Sequence, residues 1–192
     1  MSKGFDLLDY DMNKVLFVFA LESEAGAFFK DKNVVFTGVG KVNASYHVTK
    51  SIAKFNPELI VNLGTAGSGY FKRYEVVNCT EFVQRDMDVC GLGFEMYETP
   101  YSKTPIVLQH GLIFNGVNRG ICGTGDSFET NLTDKIYNLV DMEAYALASI
   151  THAENIDFLC LKFISDGADD EAATSWTENV RQAPEAFYNL LF

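Results

Sequence analysis

A chain of 192 residues, 47% hydrophobic and 21% charged, has the length and composition of one globular domain, which we take to span residues 1–192. Fifteen basic against 26 acidic residues leave a formal net charge of −11, which repels nucleic acid and anionic lipid and argues against both as partners. No apolar run approaches the roughly 20 residues that span a bilayer, and the first 14 residues lack the basic and apolar regions of a signal peptide.

The chain opens with a short tail before a run of β-branched and aromatic residues at 15–20, which reads as a buried strand. Ser23 is placed to cap a short helix reaching about Phe29. Residues 33–37 read as a second strand, and Gly38-Val39-Gly40 turns the chain. Val42, Tyr46, Thr49 and Ala53 recur at helical spacing, so 41–54 is an amphipathic helix that Asn56-Pro57 stops. A third strand covers 59–63 and ends in a glycine-rich turn, Gly64-Thr65-Ala66-Gly67-Ser68-Gly69. Strands follow at 74–84, 106–109 and 120–123, with a loop rich in Gly, Pro and aromatics at 91–105. Residues 142–151 are helical, 158–164 form a continuous apolar strand of the kind covered on both faces, and 173–192 is a helix that Pro184 breaks or kinks. Alternating strands and helices predict a three-layer α/β domain with its ligand at the carboxyl ends of the strands.

Cys79, Cys90, Cys122 and Cys160 form no CxxC pair and fit buried thiols in a reducing, cytoplasmic compartment. His47, His110 and His152 have no metal-ligand spacing, so no metal or other cofactor is expected.

Five segments carry chemistry. Gly38-Val39-Gly40-Lys41 lacks the spacing of a nucleotide phosphate loop and reads as a strand-to-helix turn whose amides line a cleft. Gly64 to Gly69 lets the backbone approach a ligand closely, or is simply a flexible turn. In Gly125-Asp126-Ser127-Phe128 the aromatic ring is suited to stacking on a planar base and equally to plugging a core. In Asp141-Met142-Glu143-Ala144 two carboxylates flank Met142 at a strand-to-helix junction, suited to sugar hydroxyls or to the helix dipole. Ser165-Asp166-Gly167 closes a buried strand, and an acid there, partly desolvated, is a candidate proton donor.

Together and in this order, these segments resemble the methylthioadenosine/S-adenosylhomocysteine nucleosidases and their nucleoside phosphorylase relatives. The motifs run from Ala20-Leu21-Glu22-Ser23-Glu24 through Gly38 to Val42, Asn62 to Gly67, Gly125 to Phe128 and Asp141 to Ala144, ending at Ile164-Ser165-Asp166. The resemblance implies a nucleoside phosphorylase-like α/β/α sandwich with a mixed central sheet, working as a homodimer. It implies a hydrolase that cleaves the N-glycosidic bond of a purine nucleoside and releases adenine. Asp166 matches the acid that protonates purine N7, and Ser165 the residue that positions it. Glu143 matches the carboxylate on the ribose hydroxyls, Met142 the residue packed on the sugar, and Phe128 the ring stacked on the base. Glu24 matches the carboxylate that activates water, Glu22 a neighbour without that role, and Thr65, Ala66 and Gly67 join the substrate-binding set.

Related phosphorylases carry an arginine where Asn62 stands here and another near the first strand, where residues 21–24 hold none. Without that fork phosphate is held poorly, which favours water. The alternatives are a phosphorylase using Arg85 or Lys41 for phosphate, and a nucleoside-binding protein without turnover. Lys162 also departs from the family, which often has arginine there. The segment 84–94 resembles the family's dimer-contacting loop, and Phe94, Met96, Tyr97 and Tyr101 are expected to cover the sugar's 5′ substituent across a two-fold contact.

Overall fold

The computed structural model describes residues 5–169 and 171–192. Strand β1 (Val15–Phe19) is buried along its whole length and pairs in parallel with β2 (Val34–Phe36) and β3 (Leu59–Gly67). Between β1 and β2 lies a four-residue helix, α1 (Glu22–Ala25), which Leu21 rather than Ser23 precedes. It ends at Gly26, whose φ of 56° a helix cannot continue, so the expected extension to Phe29 is a series of turns. Helix α2 (Lys41–Phe55) ends on Asn56 in the left-handed conformation, which asparagine tolerates.

Strand β3 is longer than the sequence predicts. The segment Gly64 to Gly67, expected as a turn, continues the strand because β8 (Asp157–Asp166) pairs with it in parallel, Thr65 opposite Phe163 and Ala66 opposite Ile164. Strand β4 (Val76–Gln84) starts two residues late because Tyr74 has a φ of 72°, outside strand geometry. Beyond it lie β5 (Leu108–Gln109), β6 (Asn118–Thr124) and β7 (Leu139–Asp141). The sheet is mixed: β8 runs parallel to β3 and antiparallel to β4. Pairings β3–β8, β8–β4, β4–β6, β6–β7 and β7–β3 follow one another round a ring that closes at Gly67 and Val140.

Helix α3 (Ala144–Ala153) begins two residues later than expected, because the Asp141 carboxylate accepts from the Ala144 amide at 2.8 Å. The C-terminal segment is two helices, α4 (Ala172–Asn179) and α5 (Ala183–Leu191), joined by the 3-10 turn Val180–Gln182. Pro184 sits in the first turn of α5, where its missing N–H is harmless.

Period-two alternation divides the core. Leu16, Val18 and Ile60 pack with Ala44 and Val48 of α2 and with Leu147 and Ala148 of α3. Phe17, Phe19, Val61 and Leu63 pack instead with Phe29 and with Ala183 and Phe187 of α5. Phe17 and Phe19 are fully buried, and truncating either to alanine removes about 3–5 kcal/mol of stability. Among the described residues, no helix is long and apolar enough to cross a membrane. Cys79, Cys122 and Cys160 are buried free thiols, whereas Cys90, expected to be buried too, is exposed in the loop after β4.

Candidate active site

Where the ring closes, the ends of β3, β7 and β8 open into a cleft of about 820 Å³, counting the space at its mouth. All the residues singled out above as catalytic or substrate-binding line it: Glu24, Thr65, Ala66, Gly67, Phe128, Met142, Glu143, Ser165 and Asp166.

Glu24 is buried while Glu22 is exposed. The two diverge because they sit two residues apart on a helical turn, which points them to different faces. Oε2 of Glu24 reaches back to the Leu21 amide at 3.0 Å, half of a capping box. Oε1 accepts from the Thr65 amide at 2.9 Å and from Thr65 Oγ1 at 3.0 Å.

Asp166 is 5% exposed. Its Oδ2 accepts from Ser165 Oγ at 2.8 Å and its Oδ1 from the Ala168 amide at 3.0 Å. Gly67 makes room for it: a Cβ there would lie 2.4 Å from Asp166 Oδ1. The glycine of β3 is thus a close approach between strands rather than a flexible turn.

Glu143 precedes α3, and its Oε1 accepts from the Gly40 amide at the start of α2, 2.8 Å away. The Gly38-Val39-Gly40 turn therefore holds a site carboxylate with its amide, while Val39 lines the cleft. Burial first, then the neighbouring Asp141 charge, pushes the Glu143 carboxyl up to about 8. Asp141 and Lys162 form an ion pair of 2.8 Å with both side chains 1% exposed. Burial opposes the charge on Asp141, yet Lys162, Thr124 Oγ1 and the Ala144 amide together hold it below the usual carboxylate range. Burial likewise works against Lys162, and Asp141 overrides it, so the ammonium stays charged. Lys162 and Glu24 converge on Gly64: a Cβ there would meet Lys162 Nζ at 3.2 Å and Glu24 Oε1 at 3.4 Å.

The rim is built differently. Phe128 is 64% exposed at the mouth, not a core plug. Arg85 lies beneath its loop, donating to Gly125 O and Ser127 Oγ at 3.2 Å each and to Ser127 O. Lys41 pairs with Asp86 and, at 3.3 Å, with Asp126, whose Oδ1 accepts the Lys41 amide at 2.8 Å. Both basic residues considered for phosphate are thus engaged with the protein. Asn62 faces neighbouring strands, donating to Val18 O at 3.1 Å. Phe94, Met96, Tyr97 and Tyr101 do not line the cleft of their own chain; Tyr97 packs on Tyr137, and Tyr101 is 95% exposed.

Sequence reasoning missed Trp176, which lines the cleft from α4 and donates its Nε1–H to Thr65 Oγ1 at 2.9 Å. Its one available signal was being the only tryptophan of the chain. Asp141, read as one of two junction carboxylates, lines the cleft but is engaged by Lys162 and Thr124.

The model of the phosphorylase superfamily matches residues 28–191. A 5′-methylthioadenosine/S-adenosylhomocysteine nucleosidase of Haemophilus influenzae is 31% identical over 170 residues, 78% of this chain and 74% of that protein. One from Bacillus cereus is 30% identical over 168 residues, 77% of this chain and 73% of the relative. Among solved structures, the Helicobacter pylori 5′-methylthioadenosine/S-adenosylhomocysteine nucleosidase, complexed with a pyrrolopyrimidine-bearing pyrrolidinol, superposes with a TM-score of 0.83. It is 19% identical, over 95% of this chain and 97% of that one. Futalosine hydrolase of the same organism superposes with a TM-score of 0.82 at 18% identity, over 94% and 96% of the two chains.

Proposed function

We propose, since the chain belongs to the phosphorylase superfamily and to its 5′-methylthioadenosine/S-adenosylhomocysteine nucleosidases, that this cleft hydrolyses the N-glycosidic bond of such an adenine nucleoside. The observation that carries the reading is the meeting of two buried carboxylates, Glu24 and Asp166, in one cleft, from opposite ends of the sequence. A purine leaves poorly as an anion, so its N7 must gain a proton as the bond to the sugar breaks. Asp166, aimed by Ser165 and Ala168, is the donor. The bonding pair leaves with the base, and the sugar becomes oxocarbenium-like. Water held at Glu24 adds to the anomeric carbon and gives its proton to that carboxylate, as in two-carboxylate glycosidases. Glu143 holds the ribose hydroxyls, Met142 packs on the sugar and Phe128 closes over the base.

The reading extends to the whole chain as one nucleosidase domain, residues 1–192, with α2 and α3 on one side of the sheet and α1 and α5 on the other in three layers. It includes a cytoplasmic role in purine salvage and a homodimer. Exposed apolar side chains support the dimer: Leu92 at 76%, Tyr101 at 95%, Val42 at 79% and Tyr46 at 61%. A fully active monomer in the ultracentrifuge at assay concentration removes the dimer from this reading. The activity is tested by incubating purified protein with methylthioadenosine, with and without phosphate. Adenine and free methylthioribose in both mixtures are expected; no adenine in either refutes the function.

A further inference from the structure

Helix α4 is fastened to two of the three strands that end at the cleft. Asn179 Nδ2 donates to Ser165 O on β8 at 2.8 Å, and Trp176 Nε1 donates to Thr65 Oγ1 on β3 at 2.9 Å. The second bond determines the direction of the next one. An indole N–H only donates, and a threonine hydroxyl has a single proton. Thr65 Oγ1 therefore accepts from Trp176, and its proton goes to Glu24 Oε1, 3.0 Å away. The Thr65 amide donates to the same oxygen at 2.9 Å. Both donors of Thr65 are committed to Glu24. This wall of the cleft then presents a carboxylate and a hydroxyl lone pair, with no donor from Thr65 left for an anion.

We propose that Trp176 is a positioning residue for the nucleophile: through Thr65 its indole N–H fixes the Glu24 carboxylate and leaves this wall with acceptors. Such a wall holds a neutral hydrogen-bond donor, water, and repels phosphate. The inference rests on the reading of Glu24 as the group that activates water. It also accounts for hydrolysis without appeal to a missing arginine, because a threonine free to donate would favour an anionic oxygen.

Trp176→Phe keeps an aromatic ring at the wall and removes only the N–H. The measurement is steady-state kinetics on methylthioadenosine for wild type, W176F, Thr65→Val and the double variant. In W176F, kcat is expected to fall roughly tenfold, the upper end of the scale of one neutral hydrogen bond, with KM within about twofold. The double variant is expected to be no slower than Thr65→Val, because the indole acts through the hydroxyl. Wild-type kcat in W176F, a loss confined to KM, or full additivity with Thr65→Val would each overturn the proposal. Glu24→Gln in the same assay separates the two readings. Wild-type turnover by E24Q removes the role of Glu24 itself, whereas an inactive E24Q beside an unaffected W176F removes only the relay. Since Trp176 is the one tryptophan of the chain, its emission gives a readout without turnover. Methylthioadenosine added to E24Q, at concentrations that calorimetry shows to be saturating, is expected to change the emission; an unchanged spectrum overturns the placement of the indole in the site.

Discussion

The floor of the cleft and its rim are made by opposite means. On the floor, Glu24, Glu143 and Asp166 are each less than 10% exposed, and every one accepts a backbone amide: Thr65 and Leu21, Gly40, and Ala168 respectively. On the rim, Phe128 is 64% exposed on a loop that Arg85 and the Lys41–Asp86–Asp126 cluster hold by side chains. Backbone donors on β3, at the starts of α1 and α2 and in the bend after β8 cannot rotate away as side chains do, so the floor carboxylates are held ready for the proposed proton transfers. On the proposed reading the proton transfers belong to the floor and the base stack to the rim, so substitutions on the two sides should have different kinetic signatures.

The largest effect expected is on the floor. Asp166→Asn and Glu24→Gln should each lower kcat roughly 10²–10⁴-fold, the range of a general acid or base, while calorimetry still detects methylthioadenosine binding. Glu22→Gln, on the exposed side of the same turn, should stay within about twofold. Equal losses at Glu22 and Glu24 would show that the assignment of the two acids is wrong. Next comes the ion pair beneath the floor. Lys162→Met leaves Asp141 charged and buried without its partner, which should remove about 3–5 kcal/mol of stability in a denaturant titration. A loss below about 1 kcal/mol, the value of exposed pairs, would mean that water reaches Asp141.

Glu143 gives a pH-dependent test. Its carboxyl is raised from the ordinary 4.5 to about 8, so between those values the folded chain holds a proton that the unfolded chain has lost. Stability from this group therefore falls as pH rises through that window, and the loss is complete above about 8. Glu143→Gln keeps an oxygen for the Gly40 amide and removes the ionisation. Its melting temperature should exceed that of wild type most at pH 8.5 and converge with it near pH 5; a gap independent of pH would contradict the burial argument. On the rim, Phe128→Ala should raise KM about tenfold, the scale of one base–aromatic stack, with little change in kcat. A kcat collapse instead would place Phe128 with the floor. The smallest effect is an expected absence: saturating phosphate should neither accelerate adenine release nor yield a sugar phosphate by mass spectrometry. A sugar phosphate as main product would overturn hydrolysis and leave the cleft itself standing.

What the sequence determined by itself is local. The strands seen at 15–19 and 157–166 were legible from apolar runs at 15–20 and 158–164, α2 from its 3.6-residue period, and the α4–α5 break from Pro184. Glu24, Glu143 and Asp166 were legible through the ordered set of motifs that resembles the nucleosidases, since a single carboxylate at a strand end or helix start serves the helix dipole as readily as chemistry. Tertiary structure decided the rest. Glycines argue for a turn at 64–67, yet pairing with β8 extended the strand, because satisfied backbone hydrogen bonds outweigh a weak local preference. At Gly67, where the ring closes against Val140, the Asp166 side chain fills the space a Cβ would take, a fit between strands far apart in the chain. Trp176 and Thr65 meet only because α4 packs against the strand ends, and the direction of their hydrogen bond follows from that contact. Periodicity reports which face of an element is buried; it carries no information about which distant donor will meet which acceptor.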